Sequence, residues 1–241
     1  MRLFVGTSGW QYSWNPDGFE WFAEHSGLNA VELNASFYRY PFRSQVEGWR
    51  RRSPPHLRWS VKVHRLVTHV YRLAGRAYDR WASFRDLFKP LDERIDFYLF
   101  QLPPSVRPTS AFLARLEAFA REAGLGPRMA LEWRHPEWFQ PRWAEWCVRR
   151  EMTVVSVDSP DVACAIYPSA GALVYLRMHG RTAWYAHEYS LEELEEVLDR
   201  LVEAGASRAY VFFNNDHDML HNARELLELA KARGISTPGI G

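Results

Sequence analysis

Residues Ala209–Asp216 read AYVFFNND. Tyr210, Val211, Phe212 and Phe213 are the aromatic and β-branched types that suit a buried strand. The chain then meets Asn214, Asn215 and Asp216, whose side chains need partners. An apolar strand with a polar end fits the wall and rim of a parallel barrel, where the active face forms at the strand C-termini. Seven comparable runs precede this one. They are LFVGTSG from Leu3, NAVELN from Asn29, RWSVKVH from Arg58, DFYLFQLP from Asp96, RMALEWR from Arg128, TVVSVD from Thr153 and LVYLRMHG from Leu173. Their starts lie mostly 25 to 38 residues apart, about one strand–helix unit.

Helical patterns fill most of the gaps. Phe112, Leu113, Leu116 and Phe119 recur at helical spacing within 109–122, with Thr109 or Ser110 placed to cap. Leu191, Leu194, Val197, Leu198 and Leu201 form a second such stripe, opened by Ser190 with Glu193 three residues on, a capping-box pattern. Residues 220–232 form a third. Only 14 residues, including Pro160 and Pro168, separate Asp158 from Leu173, so the helix between the sixth and seventh candidate strands should be short or missing. Eight strands alternating with helices predict an α/β fold: one (β/α)8 TIM-type barrel, a single domain over residues 1–241. An open doubly wound sheet is the competing arrangement, but no G-x-G-x-x-G follows the first strand.

Composition narrows the function classes. The formal net charge is +1, from 30 basic and 29 acidic residues, so bulk charge supplies no general attraction to nucleic acid or membrane. The 2 cysteines, Cys147 and Cys164, have no metal-type spacing and are too few for a disulfide framework, which predicts a reduced, cytoplasmic setting. The first ten residues, MRLFVGTSGW, lack a long apolar signal region, and no run of about 18 apolar residues occurs anywhere.

Strand parity then selects side chains. Alternate residues of a barrel strand point inward. Placing the most apolar alternate set outward turns Ala30, Glu32 and Asn34 inward, with Ser60, Lys62 and His64, and with Ala130, Glu132 and Arg134. The same rule turns Ser156 and Asp158 inward and Val155 and Val157 outward, and it turns Tyr175, Arg177 and His179 inward. Gln101, Asn214 and Asp216 complete the set. Buried charges must pair with one another or hold a ligand, and a buried ion-pair plug is a poor stabiliser beside apolar packing. So many convergent polar groups at the functional end favour a site over a plug.

In this order, GTSGWQYSW, VELNASFYRYP, WSVKVHRLVTH, LFQLPPS, LEWRHPEWF, YLRMHG and FFNND resemble the motifs of the YecE-like family, domain-of-unknown-function family 72. The resemblance runs from Gly6 to about Asn222 and implies a TIM-type barrel. It implies no activity, since none is established for the family. Some members have been likened, by barrel geometry, to the metal-dependent endonuclease that cuts DNA at abasic sites, which is an analogy of fold.

The residues themselves point to acid–base chemistry on an anionic substrate, phosphorylated or derived from nucleic acid. Glu32, Lys62, Glu132, Asp158 and His179 are the catalytic candidates: paired carboxylates whose environments separate their pKa values, a lysine, and a proton-carrying imidazole. Arg177 and Lys62 would hold the anion, with Arg134 able to touch a phosphate, Asn34, His64, Gln101, Asn214 and Asp216 orienting the substrate and Trp10 and Tyr38 stacking on it. If it is an enzyme, a hydrolase is the class kept in view; a non-catalytic protein binding a small anion or nucleic acid in the same pocket is the alternative. No metal ligand is assigned and no cofactor is required, although Glu32, Glu132, Asp158, Asp216, His64, His69, His179 and His217 would be the donors of a divalent metal in an endonuclease-like phosphodiesterase. No H-E-x-x-H occurs, and Lys62 and Arg177 would compete with a cation. A Schiff base on Lys62 needs a depressed lysine pKa, which the two nearby glutamates are expected to oppose.

Overall fold

The computed structural model describes residues 1–240. Eight parallel strands close into a barrel: β1 (Arg2–Ser8), β2 (Ala30–Leu33), β3 (Arg58–Lys62), β4 (Ile95–Gln101), β5 (Met129–Glu132), β6 (Thr153–Ser159), β8 (Leu173–Met178) and β9 (Arg208–Phe213). β9 pairs back onto β1, and β5 pairs onto β6, which closes the ring. Every strand foreseen from the sequence is present.

Seven α-helices cover the barrel among the described residues: α1 (Gly18–His25), α2 (Arg43–Arg52), α3 (Ala77–Phe88), α4 (Ser110–Ala123), α5 (Pro141–Val148), α6 (Leu191–Glu203) and α7 (Met219–Ala232). Thr109 caps α4 by accepting the Phe112 N–H, and α4 stops at Gly124 in the left-handed region at φ 60°. At α6 the full capping box forms, with the Glu193 N–H donating to Ser190 Oγ and the Ser190 N–H to Glu193 Oε2. Between β6 and β8 there is no helix. A short antiparallel strand, β7 (Val162–Ala165), folds back onto β6 instead. None of the helices is long and apolar enough to cross a membrane.

Two apolar layers result. Outward strand residues such as Val31, Val61, Leu131, Leu176 and Val211 pack with the helices. A smaller cluster, including Phe4, Phe97, Leu99, Val155, Val157, Tyr175, Tyr210 and Phe212, fills the barrel itself. Gly6 allows β1 and β2 to approach closely, since a Cβ there would meet the Ala30 carbonyl oxygen at 2.3 Å.

The inner cluster corrects one expectation. Val155 and Val157 lie inside the barrel, so Ser156 and Asp158 face outward. Register agrees: Val157 sits beside Arg177, and Ser156 beside Leu176. The missing helix is the physical reason. Where β6 would normally present apolar residues to a helix, it is covered by an irregular connection whose backbone N–H groups need acceptors. Ser156 Oγ takes the N–H of Tyr167, and Asp158 Oδ1 takes the N–H of Cys164.

Candidate functional site

Glu32, Glu132 and Arg177 lie at the C-terminal ends of β2, β5 and β8, and the barrel brings the three together. Arg177 lies with no solvent exposure between the two carboxylates. Its Nε and Nη2 donate to Glu32 at 3.1 and 2.7 Å, and its Nη1 donates to Glu132 Oε2 at 2.7 Å. Glu32 also accepts from Ser8 Oγ at 2.7 Å and from the Tyr175 hydroxyl at 2.6 Å. Because the Tyr175 proton is committed to Glu32, Ser60 donates to the Tyr175 oxygen, at 2.7 Å. Glu132 further accepts from Gln101 Nε2 at 3.0 Å and forms an ion pair with Arg134 Nη2 at 2.7 Å. Nearly every lone pair of the two carboxylates is used.

His179 completes this floor. Its Nε2 lies 3.1 Å from Glu132 Oε1 and its Nδ1 lies 3.1 Å from Asn214 Nδ2. An amide N–H at Nδ1 makes that nitrogen the acceptor, so the proton sits on Nε2 and points at Glu132. Burial, then the charge of Arg177, push the His179 pKa down to about 3 against the pull of Glu132, and the ring is neutral at pH 7. Burial alone would raise Glu132. Arg134 and Arg177 outweigh it, with the His179 hydrogen bond adding to them, and hold Glu132 well below the usual carboxylate range. The opposing effects also leave Arg177 more firmly protonated: desolvation weakens its charge, but Glu132 and Glu32 more than compensate.

Lys62 is different. It is 8% exposed, and among the described residues its ammonium makes no hydrogen bond and no ion pair. Nζ rests 4.6 Å from the centroid of the Phe37 ring. Burial, then Arg177, bring its pKa down to about 8, and Glu132 and Glu32 only partly oppose this. The glutamates do oppose the depression, as expected, but burial and the charge of Arg177 outweigh them. His69, on the short turn Leu66–Val70, sets its ring 4.8 Å from Phe37 and is also held neutral, its pKa pushed down by burial and Lys62 to about 4.

Arg134 joins this floor to open space. Its guanidinium lies 4.9 Å over the Trp184 ring, and its Nε is buried without a partner. It also lines a cavity of about 520 Å³ with Trp133, Pro136, Phe139, Val157, Ser159, Asp161, Val162 and Trp184. The β6–β7 turn and the β8–α6 loop are tied across that cavity by a hydrogen bond from Trp184 Nε1 to Asp161 Oδ2 at 3.1 Å. Gly180 permits the loop to fold so tightly: its φ is +101°, and a Cβ there would meet the Ala183 carbonyl oxygen at 2.5 Å. Asn34 adds a second orphan, a buried Oδ1 with no donor.

The structure thus brings together Glu32, Lys62, Gln101, Glu132, Arg134, Arg177, His179 and Asn214. Five other residues expected here lie elsewhere or on the rim. Asp158, turned outward, pairs with Arg181 at 2.9 Å. Trp10 is buried behind the mouth, edge-on to Phe19, Trp49 and Trp59. His64 is bound to its own loop, accepting the Leu66 N–H and stacking on Tyr40. Asp216 is exposed on the turn after β9, with φ at +51°. Tyr38 is 71% exposed on the rim. Trp184 was not singled out for the site, and His69 was considered only as a metal donor. Parity cannot place loop side chains; the only signal was their position just after strand ends. Among the described residues no group of three or more His, Cys, Asp or Glu is placed to hold a metal ion.

A closed eight-stranded β/α barrel whose C-terminal mouth is floored by a buried carboxylate–arginine network defines the class of protein. The chain belongs to the DUF72 family, "Protein of unknown function DUF72", which it matches over residues 4–239. The UPF0759 protein YunF of Bacillus subtilis (strain 168) is 26% identical, over 86% of this chain and 85% of that protein. A DUF72 family protein (TM1631) from Thermotoga maritima MSB8 has the same fold, with a TM-score of 0.83 and 26% identity over 96% of this chain and 100% of that one. A second DUF72 family protein (EF0366), from Enterococcus faecalis V583, superposes with a TM-score of 0.82 at 20% identity, over 99% and 98% of the two chains. None of these names states an activity.

Proposed function

We propose that the barrel mouth binds a small anionic substrate and acts on it as an enzyme, with Lys62 and Arg134 as the groups that meet the substrate. One observation carries this reading. Glu32, Arg177 and Glu132 satisfy one another, whereas the ammonium of Lys62, a residue only 8% exposed, has no hydrogen-bond or ion-pair partner among the described residues. A structural plug would pair its lysine, because an isolated buried ammonium is costly. Charge favours an anion: two carboxylates, Glu32 and Glu132, face three cationic side chains, Lys62, Arg134 and Arg177, while His179 stays neutral. The cavity beside Arg134 supplies room for a small molecule.

In this reading Glu32, Arg177 and Glu132 form a rigid floor, and general acid–base work falls to Lys62, whose pKa of about 8 lets it exchange a proton near neutral pH. An endonuclease-like metal site is disfavoured by the donor set, since the lone pairs of Glu32 and Glu132 are taken up by Arg177, Arg134, Ser8, Tyr175 and Gln101. Titration calorimetry with inorganic phosphate tests the reading. Wild-type protein is expected to bind saturably, and Arg134→Gln and Lys62→Met are each expected to weaken binding by about tenfold or more, as loss of a charge-assisted contact does. Equal affinity in all three proteins would place any anion elsewhere and remove the proposal.

A further inference from the structure

Arginine occupies every charge-pairing position of the mouth: Arg177 on Glu32 and Glu132, and Arg134 on Glu132. The one lysine is left with an aromatic face. The chain holds only 3 lysines, Lys62, Lys89 and Lys231, against 27 arginines. A cation needed only for its charge is met here by arginine, whose guanidinium cannot release a proton. What lysine offers instead is an amine that can become neutral and nucleophilic.

We infer that Lys62 forms an imine with a small carbonyl compound that carries an anionic group, Arg134 holding the anion and Lys62 Nζ attacking the carbonyl carbon. This rests on the anion-site reading above and adds to it the class of substrate and a covalent step. The neutral amine adds to the carbonyl carbon. The resulting carbinolamine loses the former carbonyl oxygen together with the two amine hydrogens as one water, and C=N replaces C=O. No oxidant or reductant enters. Protonation of the imine nitrogen gives a cation on the Phe37 face that now holds the ammonium at 4.6 Å, and that cation draws electrons from the neighbouring carbon.

The surroundings suit the step. The charged groups acting on Lys62 are Arg177, Glu132, Glu32 and Arg134, and with burial they leave the amine at about 8. Against an ordinary lysine near 10.4, that is roughly a hundredfold larger neutral share at pH 7. His69, neutral and with its ring 4.8 Å from that of Phe37, can carry a proton during loss of water. Arg134 Nε, buried and without a partner, is an unused donor at the border of the cavity.

Reductive trapping on the full chain is the test. Wild-type protein is incubated at pH 7 with pyruvate, the smallest common oxo acid, and sodium cyanoborohydride, and the modified peptides are mapped by mass. Labelling of Lys62 over Lys89 and Lys231 by about tenfold or more is expected. The same ratio measured with acetaldehyde, which lacks the anion, should fall by about tenfold; comparing ratios removes the difference in intrinsic reactivity. A pyruvate ratio near one overturns the imine proposal, and if phosphate binding still depends on Arg134 the anion site survives it. A high ratio that is equal for pyruvate and acetaldehyde keeps the imine and removes the anion reading.

Discussion

Two arginines of the barrel, Arg177 and Arg181, are each held between carboxylates, and they behave differently. Inside, Arg177 bridges Glu32 and Glu132 with no exposure of any of the three. Outside, Arg181 bridges Asp158 on β6 and Glu196 on α6, at 2.9 and 2.7 Å, with its side chain 22% exposed. The charges are alike, but their surroundings are not. Water can solvate Arg181 and Glu196 if the bridge opens, and only Asp158 stays buried, so less is lost. Nothing can replace Arg177 in a dry barrel, where an unpaired carboxylate keeps its full desolvation cost. The outer bridge fastens the end of β6 to α6, and Arg200 of α6 donates to the Cys164 carbonyl of the β6–β8 connection at 2.9 Å. The inner one builds a floor so complete that the neighbouring lysine is left over.

The largest effect should come from the inner arginine. Arg177→Met leaves two carboxylates buried without their cation and is expected to cost about 3–5 kcal/mol, measured by chemical denaturation. A loss below about 1 kcal/mol would mean that the mouth is wetter than its burial implies.

Acid should separate the two clusters next. His179 has a folded pKa of about 3 and takes up its proton more readily once unfolded, near the ordinary 6.5. Its contribution is therefore complete above about pH 6.5 and is lost as pH falls toward 3, at up to about 1.4 kcal/mol per pH unit. His69 acts with the same sign over the window from 6.5 down to about 4. Glu132, held low, adds its own loss only below the ordinary carboxylate range near 4.5. The urea midpoint should thus already decline between pH 6.5 and 5, and His179→Gln should flatten that decline. An unchanged slope in the variant would show that His179 is not held neutral.

Arg181→Met, the outer counterpart, should cost less, about 1–3 kcal/mol, because buried Asp158 keeps the Cys164 N–H and partly exposed Glu196 keeps Arg200. A cost equal to that of Arg177→Met would erase the distinction between the two bridges.

The strands, their order and most of the mouth were legible before any coordinates. Period-two alternation assigned Glu32, Lys62, Gln101, Glu132, Arg177 and His179 to one end because β2, β3, β4, β5 and β8 each present apolar side chains to a covering layer of helices. The rule failed at β6, where the covering layer is itself polar, and Asp158 went to the wrong face for that reason. Trp10 was misplaced because an aromatic in a loop after a strand packs inward or outward according to neighbours distant in sequence, here Trp49 and Trp59.

The sequence alone determined the barrel and the kinds of charge at its mouth, since hydrophobic period and strand count depend on local order. Which charges cancel was decided only by the tertiary structure. Glu32, Glu132, Arg134 and Arg177 come from three different strand ends, and charge-assisted contacts need donor and acceptor within about 3 Å, so ångström-scale placement determines that the arginines take the carboxylates and Lys62 has no such partner among the described residues.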